Sequence, residues 1–82
     1  MALKVNRATW VVTIPDHEVH KGKWTYTVPA REQRIFAINR KDAIQQVCRL
    51  AHRLAGVPPY RSMLKQTAKL ATTRTELVEV QR

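Results

Sequence analysis

The apolar pattern of this chain changes period at Asn39. Before it, apolar and polar residues alternate with the period of two that sends successive side chains to opposite faces of a strand. After it, apolar residues recur at three and four, the spacing of one helix face. Ala8, Trp10, Val12 and Ile14 alternate with Thr9, Val11 and Thr13 until Pro15. Trp24, Tyr26 and Val28 alternate with Thr25 and Thr27 until Pro29. The polar stretch Asp16-His17-Glu18-Val19-His20-Lys21-Gly22 lies between them and predicts a hairpin closed by a long loop. Arg34 to Ile38 is a third strand candidate, with apolar groups on both faces.

Asn39 is a helix N-cap residue, and Asp42 three positions on is a weaker substitute for the Glu of a capping box. Ile44, Val47, Cys48, Ala51, Leu54 and Ala55 then form one apolar stripe, with Leu50 at its edge, and Gly56 and Pro58 end the helix. A shorter helix is predicted from about Ser62, with Tyr60, Met63, Leu64, Thr67, Ala68 and Ala71 on one side and Arg61, Lys65 and Lys69 on the other. Leu77, Val78 and Val80 read as a closing strand. The order predicts an α+β fold, a small two-layer sandwich in which an antiparallel sheet of three to four strands carries one long and one short helix on one face.

Eighty-two residues fit a single domain, spanning 1–82. A chain of this size buries only about 60% of its unfolded surface, so a homodimer is one way to complete its core. One cysteine allows no internal disulfide, which is the usage of a reducing compartment. Lys4 and Arg7 interrupt any signal-type apolar run, and no segment approaches the roughly 20 apolar residues of a membrane span. The expectation is a soluble cytoplasmic protein.

Charge is the strongest functional signal. The formal net charge is +9, and from Ala43 to Thr75 there is no acidic residue. That stretch holds Arg49, Arg53, Arg61, Lys65, Lys69 and Arg74, mostly at four-residue spacing. Like charges at that spacing repel by roughly 0.2–0.5 kcal/mol per pair on a helix. A face that keeps this cost without interleaved acids suits an anionic partner, and cations on phosphates release counterions. These six residues are the expected nucleic-acid contacts, to DNA or RNA. A face that only keeps the protein soluble is the bland alternative, but such faces mix both signs.

Other constellations carry less. Asp16, His17, Glu18 and His20 put four potential ligands within five residues, but structural zinc sites draw four well-placed ligands, usually from separated segments, so a solvated loop is expected and no metal. Cys48 and His52 are spaced i, i+4, yet Cys48 falls in the apolar stripe, where cysteine behaves as a small hydrophobe. With two glycines there is no phosphate-cradling loop and there is no serine elbow. No enzyme and no cofactor are expected. Trp10, Trp24, Tyr26 and Phe36 could stack bases from a sheet, but Trp10 and Trp24 share faces with Val12, Ile14 and Val28 and read as core. Tyr60, after Pro58-Pro59, reads as an exposed aromatic or as a wedge that packs the inter-helix turn against the core. No groove-reading helix with Asn or Gln beside these cations stands out, although Gln45, Gln46 and Gln66 are available.

The segment Arg34-Ile-Phe-Ala-Ile-Asn-Arg-Lys-Asp-Ala-Ile-Gln-Gln-Val, with the preceding Trp-bearing hairpin, is similar in pattern to the three-strand-plus-helix arm-binding domains of phage integrases over about residues 8–55. That resemblance implies DNA contact through the sheet. The later basic helix and closing strand depart from the family, so no binding residues are carried over. The expected function is a small basic nucleic-acid-binding protein. The alternative is a phage-type protein-protein interaction or inhibitor module that binds an acidic protein surface or pairs through a sheet edge.

Overall fold

A computed structural model describes residues 8–80, so Lys4, Arg7 and Arg82 lie outside the described residues. The elements in chain order are β1 (Ala8–Ile14), β2 (His17–Lys21), β3 (Trp24–Val28), β4 (Arg31–Ala37), α1 (Arg40–Ala55), α2 (Arg61–Thr72) and β5 (Thr75–Val80). The α+β, two-layer expectation holds, with the strands divided into an antiparallel three-stranded sheet ordered β4-β1-β5 and a separate β2-β3 hairpin.

The strand pairing corrects the sequence reading. Trp24–Val28 does not pair with Ala8–Ile14. Its partner is His17–Lys21, the segment expected to be a loop. Only Val19 there is both apolar and buried, so the alternation was too polar to read as a strand. Gly22 has φ +59° and no non-glycine residue among the described residues has positive φ, so the Gly22-Lys23 turn has the sign pattern of a two-residue type II′ hairpin. β1 pairs instead with β4, Ile14 opposite Arg31 and Ala8 opposite Ala37. Residues 8–37 thus form one long antiparallel ribbon broken at Pro15 and Pro29, which have no N–H for a ladder bond. The Asp16 carboxylate accepts from the Ala30 N–H and ties the two sides of the break together.

One face of the ribbon points at the helices. Val12, Ile14, Val19 and Val28 on that face are fully buried against Ala43, Val47, Cys48 and Ala51 of α1 and Met63 and Ala71 of α2. Each large aliphatic side chain so buried stabilises the fold by roughly 1.5–3 kcal/mol. Trp10 packs against this core, its indole N–H 3.3 Å from the Ala37 carbonyl.

The caps of α1 follow from its sequence. The Asp42 N–H donates to Asn39 Oδ1 at 2.8 Å. The Asp42 carboxylate reaches back to the N–H of Ile38, one residue before the position a capping box would use. At the other end the N–H groups of Gly56 and Val57 bond the Arg53 and His52 carbonyls. That is a Schellman motif with Gly56 at φ +73° and Val57 buried beneath it. Leu54, placed by periodicity in the apolar stripe, is instead 63% exposed, beside the ribbon break at Pro29, Ala30 and Arg31.

Candidate nucleic-acid interface

The two helices form an antiparallel pair. The Gly56–Tyr60 connector closes one end, and at the other the Arg40 guanidinium reaches the Thr72 carbonyl at 3.5 Å. Their inner sides hold the core. Between them, on the side away from the strands, runs an open groove of about 1160 Å³. Ile44, Cys48, Val57, Leu64 and Ala68 contribute apolar lining, and Arg40, Lys41, Arg49 and Arg53 of α1 face Arg61 and Lys65 of α2 along it. All six cations are exposed, and no acidic residue lines the groove.

The acids lie elsewhere. All four glutamates of the chain, Glu18, Glu32, Glu76 and Glu79, are exposed. They alternate out of phase with the buried positions of their strands or stand opposite outward residues of β1, so they project from the face that the helices leave bare. Asp16 and Asp42 are engaged with backbone N–H groups. The two layers therefore carry opposite signs on their outer sides. Among the described strand residues Arg34 is the one lysine or arginine on that bare face, between acidic side chains, so the face does not suit the sheet-mediated DNA contact implied by the integrase resemblance.

Of the six expected contact residues, Arg49, Arg53, Arg61 and Lys65 line the groove. Lys69, one turn beyond Lys65, is exposed but outside it. Arg74 follows α2, and its Nη1 donates to the Leu70 carbonyl at 2.8 Å, so it caps the helix C-terminus. Arg40 and Lys41 were missed because Asp42 follows them and breaks the acid-free run. The row Lys41, Gln45, Arg49, Arg53 at four-residue spacing was the available signal. Gln66 is not free to read a base: its side-chain amide bonds both the N–H and the carbonyl of His20, at 2.9 and 2.7 Å, closing the edge of β2. The Gln46 amide is held by Asp42 at 2.9 Å.

His52 lies on the groove wall but is only 1% exposed. Its Nε2 and that of His17 both meet the Thr67 hydroxyl, at 2.6 and 2.8 Å. Burial, then the charge of His17, pushes the pKa of His52 down. Burial pushes the Cys48 thiol up to about 11, so it is protonated at neutral pH and no thiolate nucleophile stands beside the histidine. In β2 the side chains of His17 and His20 point to opposite faces, and no group of three potential metal ligands occurs among the described residues.

Trp24, expected in the core, is 60% exposed. It shares the inward face with Tyr26 and Val28 but sits in the last pair of the hairpin, beyond the helical layer. Tyr60 is 47% exposed, as its position after two prolines suggested. Compared with protein-family models, with curated proteins and with solved structures, the chain matches none. No described helix is long and apolar enough to cross a membrane.

Proposed function

We propose that this is a small, non-enzymatic nucleic-acid-binding protein that holds phosphates in the groove between α1 and α2. The observation that supports this best is the separation of charge: six cations and no acid along the groove, with all four glutamates on the opposite layer. Neutralising phosphates along a groove of α2's length, about 18 Å at 1.5 Å per residue, gives affinity that falls steeply with salt. Phosphate contacts position a ligand without reading its sequence. The test is a salt series of binding to single-stranded DNA, RNA and duplex DNA. Six phosphate contacts give a log–log slope of about −4 for a single strand. A protein that binds none of the three at low salt is not a nucleic-acid-binding protein.

A second reading, a protein-interaction module, draws on β5. This strand lies at the edge of the sheet with Leu77 and Val78 about half exposed, and such an edge can accept a strand from a partner or from a second copy. Sedimentation of the free protein tests self-pairing, and a monomer at micromolar concentration argues against it.

A further inference from the structure

Near the connector end of the groove, outside its lining, stand two exposed aromatic side chains, Tyr60 and Trp24. Pro59 and Arg61, on either side of Tyr60, line the groove. Lys21 places its Nζ 3.8 Å from the centre of the Tyr60 ring. Lys21 is also the residue directly across from Trp24 in the hairpin, so both side chains leave on the helix-facing side. Lys23 lies 6.0 Å from the Trp24 ring. Two exposed aromatic rings, each with a lysine beside it, therefore stand where the cationic walls end.

An indole left 60% in water forgoes most of the stabilisation its burial would bring. Lys23, 6.0 Å from the ring, leaves most of it open. A nucleobase suits that open face, because every base has a π-face and stacking on an aromatic side chain does not depend on sequence. In a duplex the bases are stacked on one another and hidden behind the backbone, so a ring beside the cation-lined groove meets only sugar and phosphate. In a single strand the bases are free to turn onto it.

We infer that the groove's ligand is single-stranded nucleic acid, with Trp24 and Tyr60 stacking bases at the connector end while the groove cations hold the adjoining phosphates. This rests on the reading of the groove as a phosphate site. Stacking adds affinity that salt does not screen, and the groove supplies the part that salt does.

The test compares fluorescently labelled oligo-dT, oligo-U and a DNA duplex of equal length, using the full chain. Trp24→Ala is expected to weaken both single strands by about tenfold, leaving duplex affinity and the salt slope unchanged. Trp24→Phe should restore most of the loss, and Tyr60→Ala should act in the same direction. Arg53→Glu combined with Lys65→Glu should remove binding to every ligand. If that charge reversal removes binding while Trp24→Ala and Tyr60→Ala leave single-strand affinity intact, the stacking inference is wrong and the groove assignment stands. An equal loss toward duplex also overturns it. If the charge reversal changes nothing, or the unmodified protein binds no oligonucleotide, the groove assignment falls and the inference with it. Oligo-U against oligo-dT separates RNA from DNA preference within the same chemistry.

Discussion

His17 and His52 share one hydrogen-bond partner, the Thr67 hydroxyl, and with His17 neutral the Pro15 carbonyl fixes every proton along the chain they form. His17 Nδ1 lies 2.7 Å from the Pro15 carbonyl, which can only accept, so this nitrogen carries the hydrogen. In the neutral ring Nε2 then accepts, and it takes the one hydrogen of Thr67. His52 Nε2 must therefore donate to Thr67, which leaves His52 Nδ1 unprotonated, buried and without a partner. The chain joins β2, α2 and α1 by polar contacts within the core.

Stability should fall as the solution is acidified through the range where free histidine titrates. The pKa of His52 is lowered from 6.5 in the fold, chiefly by burial. Between the lowered value and 6.5 the unfolded chain binds a proton that the folded one does not, so stability rises with pH across that window. The full contribution is present above about 6.5 and is lost as pH falls below it. Thermal denaturation at a series of pH values measures this. His52→Gln should flatten the dependence, and an unchanged slope would place the titrating group elsewhere.

Thr67→Val should be costly for a substitution that keeps the side chain's shape. It strands the half-buried His17 acceptor and the buried His52 donor, and an unsatisfied buried polar group such as the latter costs about 1–3 kcal/mol. Thr67→Ser keeps the hydroxyl and should lose much less. Equal losses for valine and serine in chemical denaturation would show that the methyl packing of Thr67, not its hydroxyl, supports the site.

The ends of α1 are where sequence and structure agree most closely, and they give a local test. Gly56 at φ +73° occupies a conformation that costs an L side chain roughly 1–2 kcal/mol. Removing the Asn39 cap costs about 1 kcal/mol. Gly56→Ala and Asn39→Ala should each lower stability by about that much and, lying more than a helix length apart, should add. Denaturant midpoints of the single and double variants check both statements.

What was legible depended on how local the signal is. Asn39, Gly56 and the apolar stripe of α1 report themselves through neighbouring residues, so that helix could be read directly. The His17–Lys21 strand could not, because its backbone is paired by Trp24–Val28 and by the Gln66 side chain while its own side chains are mostly polar. Trp24 misled for a related reason: alternation tells which face a residue takes but not whether the opposing layer extends that far. The groove was partly visible as an acid-free run. That run omitted Arg40 and Lys41 and included Arg74, because charge order along the chain says nothing about which ends of two helices meet.

Arg74 offers a discriminating test of the groove, since by charge and position it belongs with the other cations and by geometry it does not. Its guanidinium is held on the Leu70 carbonyl at the end of α2, whereas Arg61 faces the groove from the start of the same helix. Substituting each by alanine removes the same charge from the same helix layer. If only net charge attracts the ligand, the two variants lose affinity equally, and the salt slope of each falls alike. If phosphates lie in the groove, Arg61→Ala weakens binding severalfold and reduces the magnitude of the log–log salt slope by about one unit. Arg74→Ala would then leave the slope near its original value and show its effect in thermal stability. Titrations of a labelled single strand at four or five salt concentrations, run side by side for the two variants, decide between these outcomes.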